Sequence, residues 1–218
     1  MPTPTRTRTR RRRRSFVLPL ALLLLLSFAA GFLAGRLSPE RGTAPGGTAA
    51  GAKTPPVMPD WVTVDLIPLN RYSRPGTALN EVNGIVIHYV GNPGTTAEQN
   101  RNYFAGLADT HETYASSHFV IGIDGEILQC VPLDEIAYCS NNRNVDTISI
   151  ECCHPGEDGQ FTRETYDSLV RLTAFLADYY DLERDDVIRH YDVTGKLCPL
   201  YFVEHEDAWE NFKDEVFR

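Results

Sequence analysis

The segment Arg189 to Pro199, R-H-Y-D-V-T-G-K-L-C-P, gathers His190, Asp192, Lys196 and Cys198 into one short stretch. Glycine turns it and proline stops it. An imidazole and a thiolate are both zinc ligands, so His190 and Cys198 are two candidate donors of a metal site. A catalytic zinc site needs three protein ligands, an open fourth position and a base beside it. His88, near the carboxyl end of N-G-I-V-I-H-Y-V, is the candidate third ligand; the competing reading is a strand histidine satisfied by a carbonyl. Glu151 is the candidate base, the one acid in the otherwise uncharged T-I-S-I-E-C. Partial burial would raise its pKa toward the range useful for proton transfer. An edge-strand glutamate facing solvent is the alternative. Lys196 is either a group that reaches substrate or a surface lysine. Asp192 is either an acceptor that orients His190 or a turn residue.

Several elements must bring these residues together. Asn83–Val90 is a β-branched run bounded by turn residues and reads as a strand. It places Ile85, Ile87 and Tyr89 on one face and Val86, His88 and Val90 on the other. Thr95 or Thr96 caps a helix over Ala97–Leu107. Ala115–Ile123 and Glu126–Val131 are strands joined by a turn at Asp124–Gly125, and Val62–Leu66 is a short strand or extended lead-in. Thr147–Cys152 is another strand, with Ser149 and Glu151 on one face. Thr162 caps a long helix, Val187–His190 is a short strand, and Ala208, Trp209, Phe212 and Val216 mark a closing helix. The expected fold is α/β, a mixed central β-sheet flanked by helices. His118 lines a groove or, the favoured reading, serves the structure. His111, His154 and His205 have no ligand-like partners in sequence.

An appendage precedes this body. Of 21 Lys and Arg and 29 Asp and Glu in the chain, nine and one respectively lie in residues 1–41, leaving 12 against 28 beyond, a formal net of −16. An acidic body argues against nucleic acid as a partner. Residues 1–14 form a basic tail, and the uncharged apolar run 15–35 is long enough for one transmembrane helix. The arginines place the tail in the cytoplasm and the body outside. Cleavage as a signal peptide near Ala29–Gly31, giving a secreted protein, is the less favoured alternative. Residues 36–60, rich in Gly, Ala, Thr and Pro, read as a flexible tether with a reach of about 25 Å, and 61–218 as the folded domain. With five cysteines an exported domain leaves at least one unpaired, as a metal ligand would be. A Cys130–Cys139 bridge is open, and a monomer is the assumed unit.

Five segments in order, I-V-I-H-Y-V-G-N-P, S-S-H-F-V-I-G-I-D-G-E-I, V-P-L-D-E-I-A, T-I-S-I-E-C and V-I-R-H-Y-D-V-T-G-K-L-C-P, resemble the zinc-dependent N-acetylmuramoyl-L-alanine amidases, which share their fold with peptidoglycan recognition proteins. The resemblance covers about Asn83 to Phe202. It implies one zinc ion per chain bound by His88, His190 and Cys198; some members carry aspartate at the third position. Members use either a tyrosine just before the S-H-F-like position or a glutamate at the place of Glu151. Ser117 stands at the former position here, so the resemblance assigns the base to Glu151, with Lys196 facing substrate. Relatives often have Trp-His where this chain has Tyr138-Cys139, a departure that bears on the groove. The expected activity is cleavage of the bond between N-acetylmuramic acid and L-alanine in peptidoglycan by a membrane-anchored enzyme. The alternative is a non-catalytic muropeptide-binding module of the same fold.

Overall fold

The computed structural model describes residues 53–218. The expected basic tail and transmembrane helix, with residues 36–52 of the tether, lie outside those residues. Among the described residues no helix is long and apolar enough to cross a membrane.

Six strands form one sheet in the order β1-β4-β3-β5-β2-β6: β1 Val62–Val64, β2 Ile85–Tyr89, β3 Phe119–Ile121, β4 Ile127–Gln129, β5 Ile148–Cys152 and β6 Val187–Arg189. β3 and β4 are antiparallel, and every other neighbouring pair is parallel. This is the mixed sheet expected from the alternating pattern. The strands are shorter than their apolar runs because pairing, not propensity, sets their ends. Ala115–His118 lies outside β3, and its buried serines bond other segments instead of a ladder partner.

The two sheet faces pack differently. Ile85 and Ile87 of β2, Phe119 and Ile121 of β3, and Ile148, Ile150 and Cys152 of β5 meet Leu169, Leu172 and Leu176 of helix α2, Arg163–Tyr180. Phe202, Trp209 and Phe212 complete that layer from α4, Leu200–Glu204, and α5, Glu206–Val216. Val120 lies on the opposite face with Ala97 and Phe104 of α1, Ala97–Thr110. Thr96, not Thr95, caps α1, accepting from the Gln99 N–H while the Gln99 side chain accepts from Thr96 N–H. Thr162 caps α2 as expected. Asp124–Gly125 makes the expected turn; Gly125 has φ +83°, and a Cβ there would lie 2.8 Å from the Glu164 carbonyl oxygen of α2. The turn therefore needs glycine for both conformation and close approach.

One expectation changes and one open question is settled. The strand expected over Val187–His190 is one residue shorter: β6 stops at Arg189, and His190–Thr194 forms a short helix, α3, closed by Gly195 at φ +77°. The Cys130–Cys139 bridge does not form, and all five cysteines are free thiols. Cys130 belongs to the apolar cluster beneath α1, while Cys139 sits beside Glu151.

Candidate metal centre

Parallel pairing builds the centre from the strand ends upward. His88 and Glu151 stand opposite each other in the register of β2 and β5, near the carboxyl ends of both strands. Side chains alternate across a sheet, so paired residues share a face; here it is the face carrying Ser149 and Val86, as the sequence pattern indicated. On the other side of β2, Ile87 pairs with Arg189, so β6 delivers His190 beside His88 at the start of α3. The chain then turns at Gly195 and brings Cys198 back. Ligand pockets of open α/β sheets lie outside the carboxyl ends of parallel strands.

Ligand atoms of His88, His190 and Cys198 all lie within 4.8 Å of one another, and all three residues are buried. Cys198 Sγ is 3.8 Å from His88 Nδ1. A tetrahedral ion with bonds of about 2.0 Å to nitrogen and 2.3 Å to sulfur separates such donors by roughly 3.5 Å. Nε2 of His88 is 3.0 Å from Ser140 Oγ, and Nε2 of His190 donates to Asn141 Oδ1 at 2.8 Å. With the proton on Nε2 in each ring, both Nδ1 lone pairs are left for the centre. Nδ1 of His190 is buried without a partner, an orphan that a bound cation would satisfy.

Electrostatics agrees with that donor set. Burial lowers His88 well below the usual histidine range, helped by His190 and Lys196; burial and then Lys196 also lower His190. Both rings are therefore neutral, the ligating form. Burial first, and then Glu151, push the Cys198 thiol up to about 12, against a backbone hydrogen bond from Tyr89 and the Lys196 charge. A buried thiol of this kind becomes a thiolate when a cation pairs with it. The residues fit a zinc-like ion.

Glu151 is half-buried, and desolvation raises its pKa to about 7, although a hydrogen bond from Cys139 and the Lys196 charge pull it down. Cys139 Sγ lies 3.5 Å from Glu151 Oε1, while Oε2 is buried with no partner. Lys196 is exposed, and its charge reaches His88, His190, Glu151 and Cys198 alike. His88, His190, Cys198 and Glu151 are thus brought together, and the Lys196 charge acts on all four. Asp192 does not join them as an acceptor for His190. It lies on the first turn of α3, where its carboxylate reaches back to the Arg189 N–H at 2.8 Å and pairs with the Arg189 guanidinium. Ser140 and Asn141 take the orienting role instead. Their signal was the S-N-N run after Cys139, two acceptor types in a turn, with Asn141 at φ +56°; asparagine tolerates that left-handed conformation.

His118 serves the structure. Its Nδ1 accepts from Ser149 N–H at 3.0 Å, and Nε2 donates to the Glu135 carbonyl at 2.9 Å. A groove of about 360 Å³ adjoins the centre, lined by Asn92, Thr95, Gln99, Asn100, Tyr103 and Glu151 among others. A larger cavity of about 500 Å³, bounded by Lys53, Leu79, Asp134 and Tyr180, contains none of the converging groups.

The pattern of the family described as N-acetylmuramoyl-L-alanine amidase matches residues 78–200, which include His88, Glu151, His190, Lys196 and Cys198. The chain is 33% identical over 167 residues to N-acetylmuramoyl-L-alanine amidase CwlL of Bacillus licheniformis, covering 71% of this chain and 46% of that protein. To N-acetylmuramoyl-L-alanine amidase BlyA of Bacillus subtilis (strain 168) it is 32% identical over 175 residues, with the same coverage. The chain thus spans about half the length of the curated relatives it matches. The catalytic domain of XlyA superposes with a TM-score of 0.60 at 27% identity, covering 71% of this chain and 98% of that one. PlyL gives 0.61 at 22% identity, over 71% and 96%, a likeness of fold. With the matched segment spanning more than half the sequence, the chain belongs to the N-acetylmuramoyl-L-alanine amidase family.

Proposed function

We propose that this chain hydrolyses the amide bond between the lactyl group of N-acetylmuramic acid and L-alanine in peptidoglycan, using one zinc ion held by His88, His190 and Cys198. The observation that carries this reading is a buried N, N, S donor triad with a carboxylate of raised pKa at the paired position of the next strand. When bound there, zinc supplies Lewis-acid polarisation of the scissile carbonyl and a lowered pKa for water. Glu151 takes a proton from the attacking water at Oε2, the oxygen without a partner, and returns it to the leaving amine nitrogen. A pKa near 7 suits both halves of that transfer. Lys196, exposed and electrostatically coupled to the centre, neutralises the developing oxyanion. The hydroxyl and amide side chains of the neighbouring groove match the amides of an N-acetyl sugar and a peptide.

Release of stem peptides from purified peptidoglycan tests the assignment. Glu151→Ala should bind zinc as the wild type does and release none; retained release would remove the glutamate from the mechanism. We propose further that residues 15–35 anchor the chain in the membrane with the acidic domain outside, on a tether over 36–60. Recovery in the membrane fraction, with the domain open to external protease, is the expected result, and a freely soluble protein would contradict it.

A further inference from the structure

Two donor sets meet at His88. Besides the set with His190 and Cys198, donor atoms of His88, Cys139 and Glu151 also lie within 4.8 Å of one another. Cys139 Sγ and Glu151 Oε1 are 3.5 Å apart, and Glu151 Oε2 is buried and unpartnered. The segment carrying Cys139 is pinned, because Asn144 Oδ1 accepts from the backbone N–H of both Cys139 and Ser140. Imidazole, thiolate and carboxylate are each ligands for zinc and similar ions. We propose that His88, Cys139 and Glu151 form a second metal-binding position, alternative to the first, at which a borderline-soft divalent ion such as Zn²⁺ or Co²⁺ is held idle. The inference rests on the reading of His88, His190 and Cys198 as metal ligands.

The two positions compete. With Nε2 of His88 donating to Ser140 Oγ, Nδ1 is the one lone pair of the ring, and one lone pair serves one ion. An ion at the second position therefore takes His88 from the first set. It also takes Glu151 as a ligand, so that carboxylate no longer accepts a proton from water. Cys139 gives up its thiol proton to solvent as it ligates.

Cobalt counts sulfur ligands without reference to activity, because thiolate coordination gives a charge-transfer absorption in the near ultraviolet. The full chain is stripped of metal in detergent and titrated with Co²⁺. Wild type should show the band, saturating at one equivalent. Cys198→Ser should keep a band at one equivalent, and adding Cys139→Ser should abolish it. A Cys198→Ser protein that folds yet shows no band, beside a wild type that does, overturns the second position and leaves the first intact. A wild type that binds no cobalt sinks the metal reading, and this inference with it. His190→Ala provides a second background that leaves both thiols in place. There, adding Cys139→Ser or Glu151→Gln should weaken cobalt binding tenfold or more; unchanged affinity counts against the proposal.

Discussion

Each imidazole of the centre is held by a neutral oxygen on the same turn, Ser140 for His88 and Asn141 for His190. Such partners fix the tautomer, and their loss typically weakens metal binding about 10- to 100-fold. Asn141→Ala should therefore raise the zinc dissociation constant by that order, measured by chelator competition, with peptidoglycan hydrolysis restored at saturating zinc. Affinity equal to wild type would show that the bond does not set the tautomer. Lys196 gives the complementary case. Lys196→Met should lower kcat by roughly 10²–10³ and leave zinc content unchanged, since its ammonium is not a donor of the triad. The candidate ligands were legible as residues because their chemistry is rare and their types specific. Their orienting partners were not, because serine and asparagine in a turn look the same whether or not a histidine lies beneath them. Asp192 drew the role on type and proximity in sequence, yet α3 begins at His190, and the carboxylate caps the helix instead.

At the level of elements, β5 is the organising strand, since it carries Glu151 and also Ser149, whose N–H and hydroxyl both meet Nδ1 of His118. That ring ties the segment before β3 to β5 and, through Nε2, to the carbonyl of Glu135. Burial lowers the pKa of His118 to about 4, outweighing the Glu135 carbonyl and charge, which act in the other direction. The unfolded chain, with a histidine pKa near 6.5, binds the proton that the folded state refuses. The stability from this residue is thus present above pH 6.5 and lost as pH falls toward 4, about 3 kcal/mol over the window. Urea unfolding of metal-free protein should show that slope together with the contributions of His88 and His190, which burial also lowers, and His118→Gln should reduce it; equal slopes would exclude His118 as a source. The order of strands and helices was readable from alternation and caps. The short helices α3 and α4 were not, because five residues carry too little periodicity and their ends are set by Gly195 and by packing of Phe202 into the core.

Across the whole molecule, two of the three donors come from one short stretch, at the start of α3 and just before α4, and the third from β2, 110 residues before Cys198. An ion bound to them cross-links the sheet to the carboxyl-terminal layer, and the unfolded chain offers no such preformed site. Binding to the folded state alone adds about 2.7 kcal/mol when free ion stands at a hundred times its dissociation constant. For a domain of this size that corresponds to a melting-temperature rise of roughly 5–10 °C. Scanning calorimetry with and without a chelator measures it. The wild type should lose those degrees on chelation. His88→Ala, whose side chain belongs to both donor sets, should melt at one temperature with or without chelator, however far the substitution itself lowers it. A chelator response of equal size in that variant would place the stabilising ion somewhere other than the carboxyl ends of β2 and β5.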